Sequence, residues 1–227
     1  SVACSMASSA PVLFCKPSAD GLNAGDCPFT HFVRMALHLS NTEYILRPTS
    51  PEQKPSWLIA NHKGGMPCLA PKGVDNGEGA ISESAEIAAS VLPPTAADNE
   101  ALAVAKPLFV GIAKLIKNTD AEGEGADPEL RASLEGTLQD INAYLAKNGA
   151  PYLGGESPGL ADCSVATKLF VADVAARHYK NFRLSETSLP QLCAYRARAY
   201  ALPAFCETKY AEADAIAGWG QARSGSH

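Results

Sequence analysis

Pro11-Val12-Leu13-Phe14-Cys15 is a short apolar run fit for a buried strand. It leads through a loop rich in Gly, Ala, Asn and Asp (17–26) into Gly25-Asp26-Cys27-Pro28-Phe29-Thr30. Proline is favoured at the first helical position, because the N–H it lacks would have had no partner there. Phe29, Phe32, Val33, Ala36 and Leu37 then recur at spacings of three and four. A helix therefore starts at Pro28, with Cys27 at its N-cap or just before its first turn. First-turn N–H groups without partners, and the positive end of the helix dipole, then face the sulfur and favour its thiolate form. Asp26 opposes this as a neighbouring negative charge, and Lys16, leaving the strand opposite the helix start, is the candidate counter-charge. Cys27 is the candidate reactive residue; the alternative is a structural cysteine beside a helix cap.

Downstream, Glu43 to Arg47 reads as a second strand, Ser56 to Ala60 as a short helical turn, and Met66 to Ala70 as a third strand entered through Pro67. Gly79 to Ile81 reads as a short fourth strand, and Ser82 to Leu92 as an amphipathic helix stopped by Pro93-Pro94. The order β-α-β-α-β-β-α is that of a thioredoxin-like domain, expected over residues 10–93. After the two prolines the strand signals end. Leu108, Phe109, Ile112, Leu115 and Ile116 mark one helix, Leu130, Leu134, Leu138, Ile141 and Leu145 a second, and Val165, Leu169, Ala172 and Ala176 a third. An all-helical domain is expected over residues 98–217. The acidic, glycine-containing segment 120–127 is expected to be a solvent-exposed loop.

The 227 residues are 46% hydrophobic and 19% charged, as in an ordinary globular protein. The formal charge of −5 argues against a nucleic-acid partner, which calls for a basic face. Apolar runs fall short of the roughly 20 residues a bilayer span requires, and no helix pairs a lysine-rich stripe with an apolar one, so no membrane partner is expected. The seven cysteines are odd in number, dispersed and without a C-x-x-C, which favours free thiols in a reducing compartment, cytoplasm or chloroplast stroma. The five histidines supply no close pair with a cysteine, so no metal site is expected. Ser1 to Ala10, rich in Ser and Ala, has no basic region or apolar core of a secretory signal; it reads as a flexible tail or the remnant of a transit peptide.

Asp26-Cys27-Pro28-Phe29-Thr30 resembles the Cys-Pro-Phe-Ser motif of the dehydroascorbate reductases, cysteine-type members of the glutathione-transferase superfamily. Asn61-His62-Lys63-Gly64-Gly65-Met66-Pro67 resembles the superfamily's Asn-Pro-x-Gly-x-Val-Pro, whose proline is cis and whose preceding residue pairs its backbone with the glutathione cysteinyl group. Lys54-Pro55-Ser56-Trp57 matches the Lys-Pro-x-Trp segment before it, and Glu83-Ser84 resembles the acidic-Ser pair that holds the γ-glutamyl end. Gly154-Gly155 followed by Leu160-Ala161-Asp162 is similar to the folding motif of the second domain. The resemblance spans residues 10–215.

What the resemblance implies is a glutathione-transferase fold, an α/β thioredoxin-like N-terminal domain joined to an all-α C-terminal domain, acting as a monomer. Glutathione is then a co-substrate with no tightly bound cofactor, and dehydroascorbate is the oxidant. Cys27 is the implied nucleophile, Lys16 and Asp26 meet the substrate, and Lys54, Lys63, Met66, Pro67, Glu83 and Ser84 bind glutathione. Thr30 stands where dithiol glutaredoxins carry a second cysteine, so a monothiol cycle follows. The family lysine before Val-Pro is Gly65 here. His31 replaces the more usual Gln and reads as a surface residue, the alternative being a role in poising the thiolate. Gly159 replaces the Ser or Thr of the second-domain cap, which is expected to weaken that cap by a few tenths of a kcal/mol. Two other readings share the cysteine motif: an omega-type thiol transferase or deglutathionylase, and a non-catalytic protein similar to the chloride intracellular channels.

Overall fold

The computed structural model describes residues 10–119 and 127–225. Val12–Cys15 (β1) is buried at every position, because it is the central strand of a three-stranded sheet. Pro28–Leu39 forms α1, Ile45–Pro48 forms β2 and Ser56–His62 forms α2. Cys68–Ala70 forms β3 and Ser84–Val91 forms α3. The sheet order is β2-β1-β3, with β2 parallel and β3 antiparallel to β1, so that Leu13 lies opposite both Leu46 and Leu69. Leu13, Val33, Leu37, Leu69 and Ile87 fill one face of the sheet; Val12, Phe14, Trp57, Leu58 and Cys68 fill the other. The fourth strand expected at Gly79–Ile81 is reduced to a single bridge between Leu69 and Ile81. A turn closed by Ala80 N–H donating to the Gly77 carbonyl (3.1 Å) uses up the residues that would have extended it.

Helices follow from there: Ala96–Val104 (α4), Leu108–Lys117 (α5), Pro128–Asn148 (α6) and Leu160–Val171 (α7). A π-helical turn at Ala172–Ala176 leads to Arg177–Lys180 (α8), and Pro190–Tyr200 (α9), Pro203–Cys206 (α10) and Glu212–Ser224 (α11) complete the chain. The periodic residues Ile112, Leu115, Leu134, Leu138 and Ile141 all point into one core, as their spacing requires. That core does not stop at the sheet domain. It takes in Phe32, Met35 and Ala36 of α1 and Ala88 of α3, so the helix that begins beside Cys27 is clamped between sheet and bundle. Among the described residues no helix is long and apolar enough to cross a membrane.

Two expectations are corrected here. Residues 120–126 of the acidic segment lie outside the described residues, but Asp127 is buried rather than solvent-exposed. Its carboxylate accepts from Lys180 Nζ at 2.6 Å, the two side chains being 1% and 0% exposed. Asn118 Nδ2 donates to the same carboxylate, which places the start of α6 on a buried ion pair.

The second correction concerns Gly159, at the N-cap of α7. The missing hydroxyl does not leave the helix start bare. Asp98, buried on α4, accepts from Ala161 N–H at 2.9 Å, while Asp162 accepts from Gly159 N–H at 2.8 Å. A β-carbon on residue 159 would lie 2.5 Å from Asp98 Oδ1, so glycine is the residue that lets the remote carboxylate in. Restoring a serine cap is therefore expected to destabilise. Gly159→Ser should lose about 1–3 kcal/mol in urea unfolding, the usual cost of overpacking, where the local rule predicts a small gain. The Asp98→Ala/Gly159→Ser double variant should show no further loss beyond Asp98→Ala.

Candidate active site

Cys27 occupies the N-cap of α1 with extended backbone (φ −81°, ψ 112°), Pro28 follows at the first helical position, and no side chain caps the helix. The Cys27 carbonyl accepts from His31 N–H at 3.1 Å, which closes the first turn and leaves the earlier amides without intrahelical partners. The thiol is half-buried, whereas Cys15, Cys68, Cys163 and Cys193 are buried and Cys206 is exposed on α10. Burial pushes the Cys15 thiol up to about 12 and that of Cys68 up to about 11, so neither ionises at neutral pH.

Loop 17–26 brings the charged neighbours together. Gly25 N–H donates to the Lys16 carbonyl (2.8 Å) and Ser18 N–H to the Asn23 carbonyl (2.9 Å), folding the loop back on the exit of β1. Lys16 Nζ then meets Asp26 Oδ1 at 2.6 Å, the two side chains being 48% and 14% exposed. Lys16 is thus paired with Asp26, the residue before Cys27, and that acidic neighbour is offset locally. On the other side Phe29 packs edge-on to Phe109 of α5 (centroids 4.8 Å), which in turn meets Trp219 of α11 (6.2 Å).

The remaining predicted residues lie around α2, β3 and α3. The Met66-Pro67 peptide bond is cis. Among the described residues, no protein group hydrogen-bonds the Met66 backbone where it turns into β3. Lys54 Nζ donates to the Gly64 carbonyl at 2.8 Å, and His62 Nδ1 lies 3.0 Å from Ser82 Oγ, bracing the segment that carries Met66 from both sides. Lys63 is exposed in a left-handed conformation (φ 52°) at the C-cap of α2. Glu83 is the N-cap of α3 and Ser84 its first residue, with no side-chain cap, so the helix start is open to an anionic group. Trp57 is buried against Phe14, ring centroids 5.5 Å apart, which explains the tryptophan of the Lys-Pro-x-Trp segment as packing.

Residues 26–90 match the family model described as glutathione S-transferase, N-terminal domain, and residues 101–198 match that of the C-terminal domain. The chain belongs to the glutathione S-transferase family. Its relatives include glutathione S-transferase DHAR3, chloroplastic, of Arabidopsis thaliana, 29% identical over 198 residues that cover 86% of this chain and 73% of the relative. Another is the probable glutathione S-transferase DHAR1, cytosolic, of Oryza sativa subsp. japonica, 25% identical over 202 residues, 86% of this chain and 89% of the relative. The crystal structure of Chlamydomonas reinhardtii dehydroascorbate reductase superposes with a TM-score of 0.77 at 25% identity, over 93% of this chain and 98% of that one. The CLIC homologue EXC-4 of C. elegans shares the fold alone, at 18% identity and a TM-score of 0.76 over 95% of this chain and 84% of that one.

Within this transferase fold the expectation for His31 fails. It is 1% exposed, enclosed by Phe170, Phe205 and Tyr210, and neither ring nitrogen reaches a well-formed hydrogen bond. Burial first, then the Arg34 charge, push its pKa down to about 3, against a weak opposing contact to the Phe205 backbone. His31 is therefore neutral in the folded protein. The unfolded chain binds a proton near pH 6.5 and the folded one does not, so the contribution is full above that pH and lost as pH falls toward 3. Between pH 7.5 and 5 the loss should reach about 2 kcal/mol, and His31→Gln should remove that slope from urea unfolding measured across the same interval.

Three residues of the site were invisible in sequence. Tyr210 is buried with its hydroxyl unpartnered, and the charges of Cys27 and Asp26 act on it alongside burial to raise its pKa. Arg34 of α1 donates to the Thr208 carbonyl at 2.8 Å and to Tyr44 Oη at 3.0 Å, tying the helix that follows Cys27 to the segment before α11. Gly218 of α11 touches Asp26. Each is brought in from more than 100 residues away or serves a partner that is, and no local pattern marks them.

Proposed function

We propose that the chain is a glutathione-dependent oxidoreductase that reduces dehydroascorbate to ascorbate through Cys27 alone. The observation that supports this most is the half-exposed Cys27 at an uncapped helix start, next to the Lys16–Asp26 pair, with Thr30 rather than a cysteine at the resolving position. The likeness to a solved dehydroascorbate reductase agrees with it.

In the first half-reaction the Cys27 thiol reduces dehydroascorbate by two electrons. Either the sulfur takes up the oxygen of a water as a sulfenic acid while ascorbate leaves with two hydrogens, or it adds to a substrate carbonyl carbon. Glutathione then attacks the sulfur, expelling water or ascorbate respectively, and leaves Cys27 in a mixed disulfide. A second glutathione attacks that disulfide and departs as oxidised glutathione with the thiolate restored. Lys16 holds the anionic product, and Asp26 orients the ring hydroxyls or supplies a proton. Met66 ahead of cis-Pro67 offers its free backbone groups to the cysteinyl part of glutathione, as an added strand. Ser84 at the start of α3 receives the γ-glutamyl carboxylate and Glu83 its amino group. Lys54 supports the Met66 segment through Gly64, and Lys63 lends positive charge nearby.

Initial rates of ascorbate formation, with glutathione and dehydroascorbate varied together and the uncatalysed rate subtracted, test the reading. Parallel double-reciprocal lines are expected from the ping-pong cycle. A wild-type rate no better than background, with efficient release of glutathione from a mixed disulfide, would instead assign the omega-type thiol-transferase reaction.

A further inference from the structure

Gly218 lies in α11, 192 positions from Asp26 in sequence but against it in space: an ideal β-carbon built at 218 would lie 1.7 Å from Asp26 Oδ2 and 2.3 Å from its Cγ. Asp26 is thus wedged between Lys16 Nζ at 2.6 Å and the bare backbone of α11. The helix has no freedom to withdraw. Ala19 N–H donates to Asp214 Oδ1 (3.3 Å) and Tyr179 Oη to the Ile216 carbonyl (2.6 Å). Trp219 is buried against Phe109, and Arg223 donates to the Ile116 carbonyl. Any side chain at 218 must therefore displace the carboxylate, and with it Lys16.

We propose that Gly218 is a positioning residue of the active site: α11 seats the Asp26 carboxylate against Lys16 and so fixes the charge beside Cys27. This rests on reading Cys27 as the reactive residue, but not on the identity of its substrate. The leverage comes from the contact itself, since Gly218 meets the residue that directly precedes Cys27. Cys15 from β1, His31 from α1 and Tyr210 ahead of α11 are all held neutral by burial. Arg34 is committed to Tyr44 and the Thr208 carbonyl, and Lys209 acts on His31. Asp214 of α11 lines the same pocket and accepts from Ala19 N–H, and the pair that Gly218 itself meets is Lys16 with Asp26. Breaking that pair leaves a carboxylate without its cation next to the thiol, which disfavours the thiolate.

The test is a double-mutant cycle in a Cys4→Ser/Cys206→Ser background, which removes the exposed thiol of α10 and the cysteine outside the described residues. Gly218→Ala should move the midpoint of pH-dependent Cys27 alkylation upward and lower kcat/KM for dehydroascorbate by about tenfold or more. In Asp26→Ala, where the β-carbon has room, adding Gly218→Ala should leave the midpoint in place and change kcat/KM by less than about twofold. Equal losses in both backgrounds would mean a packing defect that does not act through Asp26 and would overturn the proposal. So would an unchanged alkylation midpoint in Gly218→Ala alone. Should the parent protein not reduce dehydroascorbate, the alkylation arm decides the positioning role by itself.

Discussion

Cys27→Ser is expected to abolish glutathione-linked turnover, lowering the rate by at least about a thousandfold. A serine hydroxyl at the same helix start stays protonated at neutral pH and cannot form a mixed disulfide. Among the described residues no other thiol is placed to replace it. Thr30 fills the C-x-x-C position, Cys15 and Cys68 are buried with thiols pushed up to about 12 and 11, and Cys206 sits on α10 donating to the Tyr200 carbonyl. The fold should not notice the change, since the Cys27 side chain makes no capping hydrogen bond and the exchange is nearly isosteric. Steady-state rates paired with a urea midpoint separate the two effects. Activity retained above about a tenth of wild type would move the chemistry to another residue.

The second large effect is one of stability. Asp127→Ala should cost about 1–3 kcal/mol in urea unfolding, because it removes a carboxylate that the buried Lys180 ammonium meets at 2.6 Å. Lys180 Nζ loses its 2.6 Å partner there, while its own carbonyl still accepts from Arg131 and holds the residue in place. The net worth of the pair is smaller than that cost, since desolvating both ions offsets most of their attraction. The Asp127→Leu/Lys180→Met variant should therefore recover most of the loss. A single variant costing under about 0.5 kcal/mol would mean that the Asp127–Lys180 contact does not hold the start of α6.

The parts of the site that could be read from sequence are those built by local rules. Proline after Cys27 marks a helix start, Pro67 a turn into a strand, and Ser84 another helix start, each within a few residues of the feature it creates. The resemblance to known motifs joined them into one fold. What sequence could not show is set by partners far along the chain. His31 looks like an exposed helix residue until Phe170, Phe205 and Tyr210 close over it from the helical bundle. Gly159 looks like a weakened cap until Asp98 arrives from α4. Asp127 looks like part of a polar loop until Lys180 reaches it from α8. Gly218, one of two glycines flanking Trp219, carries no mark of its contact with Asp26. The short fourth strand failed for a local reason: too few residues remained between the turn at 77–80 and α3.

The central claim is that Cys27, and no other cysteine, exchanges covalently with glutathione. Intact mass and peptide mapping after incubation with oxidised glutathione test it directly, since attack by the thiolate leaves one glutathionyl group on the protein and releases one glutathione. The expected result is a single adduct on the peptide carrying Cys27, removed again by reduced glutathione. An unmodified Cys27 with the adduct on the exposed Cys206 would contradict it.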